Sequence, residues 1–195
     1  MRKVISVLLI LLMLSGCTVS EARRSTFAMN TMMSVTVYGS DCERSADGAL
    51  EQIAELDKKW SVTGEDSEVY ALNHTGEAQL SEETEELIRF ALEMHTLTEG
   101  ALDITLYPVL REWGFTTGEY RVPSQDELSH LLGYTGVDKL TLTEGSAQLV
   151  SGAQIDLGAV AKGYAGDLLC DYLRSQGVDS ALLALGGNIH AIGSR

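Results

Sequence analysis

Residues 155–167 read IDLGAVAKGYAGD. An apolar run meets a carboxylate at Asp156, followed by small residues, a single cation at Lys162 and further glycines. Helical periodicity follows from about Ala159 to Gln176, with Ala161, Ala165, Leu168, Leu169, Tyr172 and Leu173 on the apolar side and Gly177 past the end. Before it, DKLTLTEGSAQLVSGAQIDLG (138–158) reads as strands separated by the turn pairs Glu144-Gly145 and Ser151-Gly152. The stretch therefore lies at a strand–turn–helix junction. Such a junction offers free backbone N–H groups and the positive end of a helix dipole, which suits phosphate. It matches neither GxxxxGK[ST] nor GxGxxG, and glycine also serves tight helix–strand packing. The residues alone leave both readings open.

Downstream, SALLALGG (180–187) is a buried strand stopped by Gly186-Gly187-Asn188, and IHAIG begins another. Upstream, TFAMNTMMSVTVYG (26–39) reads as one strand, and CERSADGALEQIAELDKKW (42–60) as an amphipathic helix on Ala46, Leu50, Ile53 and Leu56. A polar turn and a short helical piece occupy SVTGEDSEVYALN. SEETEELIRFALEMHTLTEG (81–100) is a helix with Ser81 as N-cap, acidic first turns, and a stripe of Leu87, Phe90, Ala91, Met94 and Leu97. ALDITLYPVLREWGF (101–115) begins extended and turns helical near Pro108. PSQDELSHLLGY carries the capping box Ser124-x-x-Glu127 and stops at Gly133. The pattern predicts an α+β fold, a mixed sheet with packed helices.

The chain has 195 residues, 45% hydrophobic and 22% charged, which fits one globular domain with a real core. A net charge of −14 lacks the basic footprint of nucleic-acid binding, so no nucleic-acid partner is expected. MRK, an apolar run and LSGC form an export signal over residues 1–16; the run is shorter than the roughly 20 residues of a membrane span. Small residues before Cys17 match a bacterial lipobox, in which Cys17 becomes the acylated first residue. The expected product is exported and lipid-anchored on the extracytoplasmic side, with residues 17–24 as a tether and 25–195 as the domain. Cys42 and Cys170 could pair outside the cytoplasm or be buried small residues; neither reads as catalytic.

Five ordered blocks, MNTMMSVTVYG (29–39), WSVTGEDSEVYALN (60–73), TEGALDITLYPVLREWGF (98–115), QIDLGAVAKGYAGD (154–167) and LLALGGNIHAIG (182–193), resemble the ApbE family of FAD:protein FMN transferases. The resemblance implies enzymes that use FAD and Mg²⁺ and attach FMN by a phosphoester to threonine or serine of an acceptor, releasing AMP. The acceptor is a flavin-carrying subunit of a membrane redox complex, and some members hydrolyse FAD instead. By position, Met29, the segment Ala101, Leu102 and Asp103, and then Asp156 and Lys162 would contact FAD, and the Ala159 carbonyl would meet Mg²⁺. Without the resemblance, Met29 reads as core, Asp103 as the cap of the turn before Ile104, and Asp156 and Lys162 as surface charges. Asn30 stands where the family often has glycine, and Thr63 where many members have an aromatic residue. Family members continue well over a hundred residues further and carry their acidic metal ligands there. The expectation is therefore the N-terminal part of such a domain, truncated at the C-terminal side. The competing expectation is a non-catalytic, lipid-anchored flavin-binding remnant.

Overall fold

The computed structural model describes residues 20–194. The export signal, Cys17 and the first residues of the expected tether lie outside the described residues. In chain order the elements are β1 (Glu21–Ala28), β2 (Thr31–Tyr38), α1 (Cys42–Trp60), α2 (Glu68–Thr75), β3 (Glu77–Gln79) and α3 (Glu82–Leu97). A 3₁₀ turn (Ile104–Leu106) leads into α4 (Tyr107–Glu112). Then come α5 (Gln125–Leu132), a second 3₁₀ turn (Val137–Lys139), β4 (Leu140–Thr143), β5 (Ser146–Leu149), α6 (Ala161–Ser175), β6 (Ser180–Leu185) and β7 (Asn188–Ile192). The class is α+β, as expected. Two sheets form, ordered β1-β2-β6-β7 and β3-β5-β4, and every pairing described is antiparallel.

The N-terminus differs from the sequence expectation. Residues 21–24, read as tether, are the first half of β1, and the single strand expected over 26–39 is a hairpin broken at Met29–Asn30. The physical reason is that β1 is an edge strand. It buries only Ala22 and Ala28, so its sequence EARRSTFA carries little apolar signal. Its two-residue turn also lacks the usual glycine. Met29 and Asn30 sit at φ +47° and +59°, the left-handed pair that a tight hairpin with right-twisted strands requires.

One face of the larger sheet makes the first core. Cross-strand pairs Met33–Leu185, Val35–Leu183 and Val37–Ala181 are all buried. They pack on Ala46, Ala49 and Ile53 of α1 and on Leu169 and Leu173 of α6. Phe27, Met32, Leu182 and Ile189 remain exposed on strands of this sheet. The second core gathers Leu56 and Trp60 from the C-terminal half of α1 with Leu72, Leu87, Ile88, Ile155 and Leu157. Helix α1 thus serves both cores, and Met29 packs against each.

Helix α3 buries Thr84, Leu87, Ile88 and Ala91, while Phe90 and Leu97 from the expected stripe are exposed. The buried stripe follows i, i+3, i+4, i+7 from Thr84, and the sequence reading passed over that polar member. Thr84 is accommodated because its hydroxyl accepts from Trp60 Nε1 at 3.2 Å. Ser81 occupies the N-cap, but its hydroxyl donates to Glu68 instead of accepting from the helix. The capping box Ser124–Glu127 forms as read. Cys42 and Cys170 are both buried free thiols, and burial pushes the Cys170 thiol up. Among the described residues no helix is long and apolar enough to cross a membrane.

Candidate functional site

The 155–167 stretch is held in place by distant residues. The strand expected after Ser151-Gly152 does not form: residues 153–157 have no strand partner. Instead, Asn73 of α2 accepts the Ile155 N–H at 2.7 Å and donates to the Ile155 carbonyl at 2.8 Å. One side-chain amide thereby replaces a neighbouring strand. The next amide, at Asp156, donates to the Ile104 carbonyl at 2.8 Å.

The chain then turns. Asp156 Oδ1 accepts the Gly158 N–H at 2.6 Å, a local turn of the kind Asp supports. A β-carbon at Gly158 would lie 2.8 Å from that oxygen, so a larger residue would push the carboxylate away. Ala159 is exposed in the turn. Helix α6 starts at Ala161, later than expected, with no side chain capping it. Lys162 lies in its first turn. Further along, a β-carbon at Gly166 would overlap the imidazole of His190 at 2.1 Å from Nε2, so this glycine serves helix–strand packing. Tyr164 donates to Glu86 and packs near Trp60, with ring centroids 6.1 Å apart. Burial first, then Glu86, raises its phenol well above the ordinary value, so it stays a neutral donor.

The hairpin tip faces this junction. Asp57 of α1 accepts the Met29 N–H at 2.8 Å. Two consecutive non-glycine residues in the left-handed region cost roughly 1–2 kcal/mol each, and the charge-assisted bond from Asp57 offsets part of that.

Between tip and junction lies a cleft of about 490 Å³, within the range of small-molecule sites. Met29, Asn30 and Asp57 form one side, and Asp156, Gly158 and Lys162 another. Trp60, Val62, Thr63, Leu110, Phe115 and Thr116 close the remainder. Lys162 is the one cation among the described residues lining it. A broader groove of about 570 Å³ beside β5 contains none of the candidate residues.

Met29, Asp156, Lys162 and Thr63 thus line one cavity. Ala101, Leu102 and Asp103 do not. Asp103 caps the 3₁₀ turn, accepting from the Thr105 N–H at 2.8 Å and its hydroxyl at 2.6 Å. Leu102 packs on the second core, and its carbonyl meets His95 Nδ1 at 2.8 Å. Ala101 is exposed. This segment touches the site through the Ile104–Asp156 backbone bond. Sequence reasoning missed Asn73, Asp57 and Thr116. Asn73 ends a short helical piece, Asp57 stands in a charged run that reads as solvated, and Thr116 sits in a polar loop, so none carries a periodic signal.

For a metal, Ala159 offers one carbonyl. Among the described residues no three His, Cys, Asp or Glu gather where an ion could sit. Mg²⁺ takes about six oxygens, so these residues do not make its site by themselves.

The ApbE family model matches residues 29–195, and a prokaryotic membrane lipoprotein lipid attachment site matches residues 1–18. A curated FAD:protein FMN transferase from Vibrio cholerae is 34% identical over 149 residues, 72% of this chain and 44% of that protein. One from Escherichia coli K12 is 27% identical, covering 85% of this chain and 51% of that protein. The chain spans about half the length of the curated relatives it matches. The crystal structure of the ApbE protein from Thermotoga maritima superposes with a TM-score of 0.85 at 30% identity, over 90% of this chain and 60% of that one. The flavin transferase ApbE from Vibrio cholerae gives 0.83 at 27%, over 91% and 61%. With the match running from the hairpin tip at Met29 through the Asp156–Lys162 junction and beyond, this chain belongs to the ApbE family.

Proposed function

We propose that this chain binds FAD in the cleft between the Met29 hairpin tip and the Asp156–Lys162 junction, as part of an Mg²⁺-dependent FAD:protein FMN transferase. In the proposed reaction a P–O bond of the FAD pyrophosphate breaks and a bond forms from phosphorus to the hydroxyl oxygen of an acceptor threonine or serine. AMP leaves with the bridging oxygen, and the hydroxyl proton is released. The single observation that carries the reading is that one cavity in an ApbE-family chain is lined by Met29, Asp156 and Lys162.

The residues have roles suited to a dinucleotide. Lys162, in the uncapped first turn of α6, supplies a positive charge beside backbone N–H groups, a setting that stabilises pyrophosphate. Asp156 holds the turn that lets the ligand approach the backbone. Trp60, Leu110 and Phe115 offer apolar surface to a ring. Ala101, Leu102 and Asp103 support the junction through Ile104. Mg²⁺, when bound, would neutralise charge on the phosphates. Ala159 would give it one carbonyl, and the other oxygens would come from FAD, water and further polypeptide. Acylation at Cys17 would hold the domain at a membrane on the extracytoplasmic side, near a flavin-carrying subunit of a redox complex; the lipoprotein attachment site at residues 1–18 supports this.

A second reading is FAD binding without transfer. It rests on the donor set, in which this chain's assigned metal contact is a lone backbone carbonyl. Titrating the purified chain with FAD, then adding Mg²⁺ and an acceptor subunit and searching for FMN-threonine by mass spectrometry, separates the two. Saturation with FMN-threonine supports transfer, and saturation without product supports binding alone. Lys162→Ala is expected to weaken FAD about ten-fold, the effect of roughly 1.4 kcal/mol from one charge-assisted contact. No saturation by the parent chain would sink both readings.

A further inference from the structure

Strand β1 connects the lipid attachment site to the cleft. Its first residue, Glu21, follows Cys17 by four positions, and the lipoprotein attachment site covers residues 1–18. Its last residue, Ala28, leads into Met29, which lines the cleft. The sheet takes up the chain at once, since the Gly39 N–H donates to the Ser20 carbonyl at 2.8 Å. Three peptide steps separate Cys17 from Ser20. Whatever their path, three steps reach at most about 11 Å.

The strand is pinned along its length. It pairs with β2 residue for residue, from Glu21 opposite Tyr38 to Ala28 opposite Thr31. Ala22 near one end and Ala28 at the other are buried in the first core. Between them, Arg24 Nε donates to Asp47 Oδ1 at 2.5 Å and ties the strand to α1. The same helix holds the tip, where Asp57 accepts the Met29 N–H at 2.8 Å. Seven rises of about 3.4 Å put Ala28 roughly 24 Å from Glu21. The full path from Cys17 to Met29 is twelve steps and reaches no farther than about 40 Å.

We infer that β1 is a strut between membrane and cleft. The end of the larger sheet that carries Ser20, Tyr38 and Ser180 faces the bilayer, and the cleft at the other end works within about 40 Å of it. This rests on acylation of Cys17 and is independent of FAD binding. Acyl chains hold the cysteine at the bilayer interface. A net charge of −14 opposes adsorption on anionic lipid, so tether and strut set the height of the cleft. The partner this arrangement fits is a polypeptide carried by the same membrane, with its target side chain inside that layer. Confinement to one layer raises the effective concentration of such a partner, and a group held farther out is beyond reach.

The test uses the full acylated chain in vesicles of phosphatidylcholine and phosphatidylglycerol. A donor dye is placed on Asn30→Cys, with Thr63→Cys as a second position in the cleft wall; Cys42 and Cys170 are buried. Lipid headgroups carry the acceptor dye. With a dye pair half-maximal near about 40 Å, energy transfer should be efficient from either position. A twenty-residue EAAAK spacer inserted between Val19 and Ser20 adds about 30 Å and should cut transfer roughly four-fold or more. Transfer unchanged by the spacer would show that the domain lies on the bilayer through another surface, such as the one with Phe27, Met32, Leu182 and Ile189 exposed, and would overturn the strut. A chain that mass spectrometry finds unacylated, or that stays off the vesicles, would overturn it as well and leave the FAD reading standing.

Discussion

Asn73→Ala removes the side chain that stands in for a strand beside Ile155. Asn73 is 8% exposed and Ile155 0%, so water has little access to the groups left behind. The substitution orphans one N–H and one C=O, bonded in the parent at 2.7 and 2.8 Å. The bond from Gln154 Nε2 runs to the Asn73 backbone carbonyl and survives. Each orphaned group costs about 1–3 kcal/mol, so a loss of about 3–4 kcal/mol is expected, a large share of the ~5–15 kcal/mol that holds a typical domain. At roughly 2–4 °C per kcal/mol for a domain of this size, Tm should fall by about 6–16 °C. Asn73→Asp sharpens the test. It keeps an acceptor for the Ile155 N–H but sets a carboxylate oxygen against the Ile155 carbonyl, so it should be at least as damaging. Urea unfolding followed by far-UV circular dichroism reads both variants. A loss below about 1 kcal/mol in Asn73→Ala with an unchanged m-value, or a parent-like Asn73→Asp, would refute the claim that Asn73 carries this segment's backbone bonds.

Asp57→Ala should free the Met29 amide at the hairpin tip, costing about 1–2 kcal/mol of stability and roughly five- to ten-fold in FAD affinity, with Asp57→Asn restoring most of both because its carbonyl still accepts. Gly166→Ala should cost about 1–3 kcal/mol by displacing His190, read as a lowered urea midpoint. Glu127 is held down at about 2, first by Arg121 and then by the Ser124 backbone and hydroxyl. Its folded pKa lies below the unfolded value of about 4.3, so its contribution is present above about pH 5 and is lost as pH falls toward about 2. Glu127→Gln should accordingly flatten the dependence of the urea midpoint on pH across that window.

The sequence revealed most where one segment carried its own signal. The long helices, the capping box at Ser124 and the Gly186-Gly187 hairpin were all legible, because period, cap and glycine stand together in the chain; at the 155–167 junction the turn and helix were legible, but the strand read into it is an unpaired segment held by Asn73. The edge strand β1 was not, since exposed alternation of Arg, Ser and Thr resembles a tether until its partner is known. The Met29–Asn30 turn stayed hidden for lack of glycine. The resemblance named Met29, Asp156 and Lys162, and the fold sets them around one cavity. Asp103 behaves as the residues alone allowed, capping its own turn.

What escaped the sequence shares one property. Asn73 reaches Ile155 across 82 positions and Asp57 reaches Met29 across 28, so each acts on a segment with which it shares no local pattern. Yet these two side chains set the candidate site's shape. Asn73 and Ile104 fix the path into Asp156, and Asp57 fixes the hairpin tip opposite it. Helix α1 carries Asp57 on a rod clamped by both cores, through Ile53 on one side and Leu56 and Trp60 on the other. Helix α6, which carries Lys162, is likewise anchored in both cores, through Leu169 and Leu173 in one and Ala161 and Ala165 in the other, so both walls of the cleft rest on the same two cores. The glycines of the junction divide the work. Gly166 brings α6 close to β7, and Gly158 leaves room for the Asp156 turn. Both glycines thus serve packing and turn geometry, and the proposed ligand reading of this stretch would depend on the rigidity they provide.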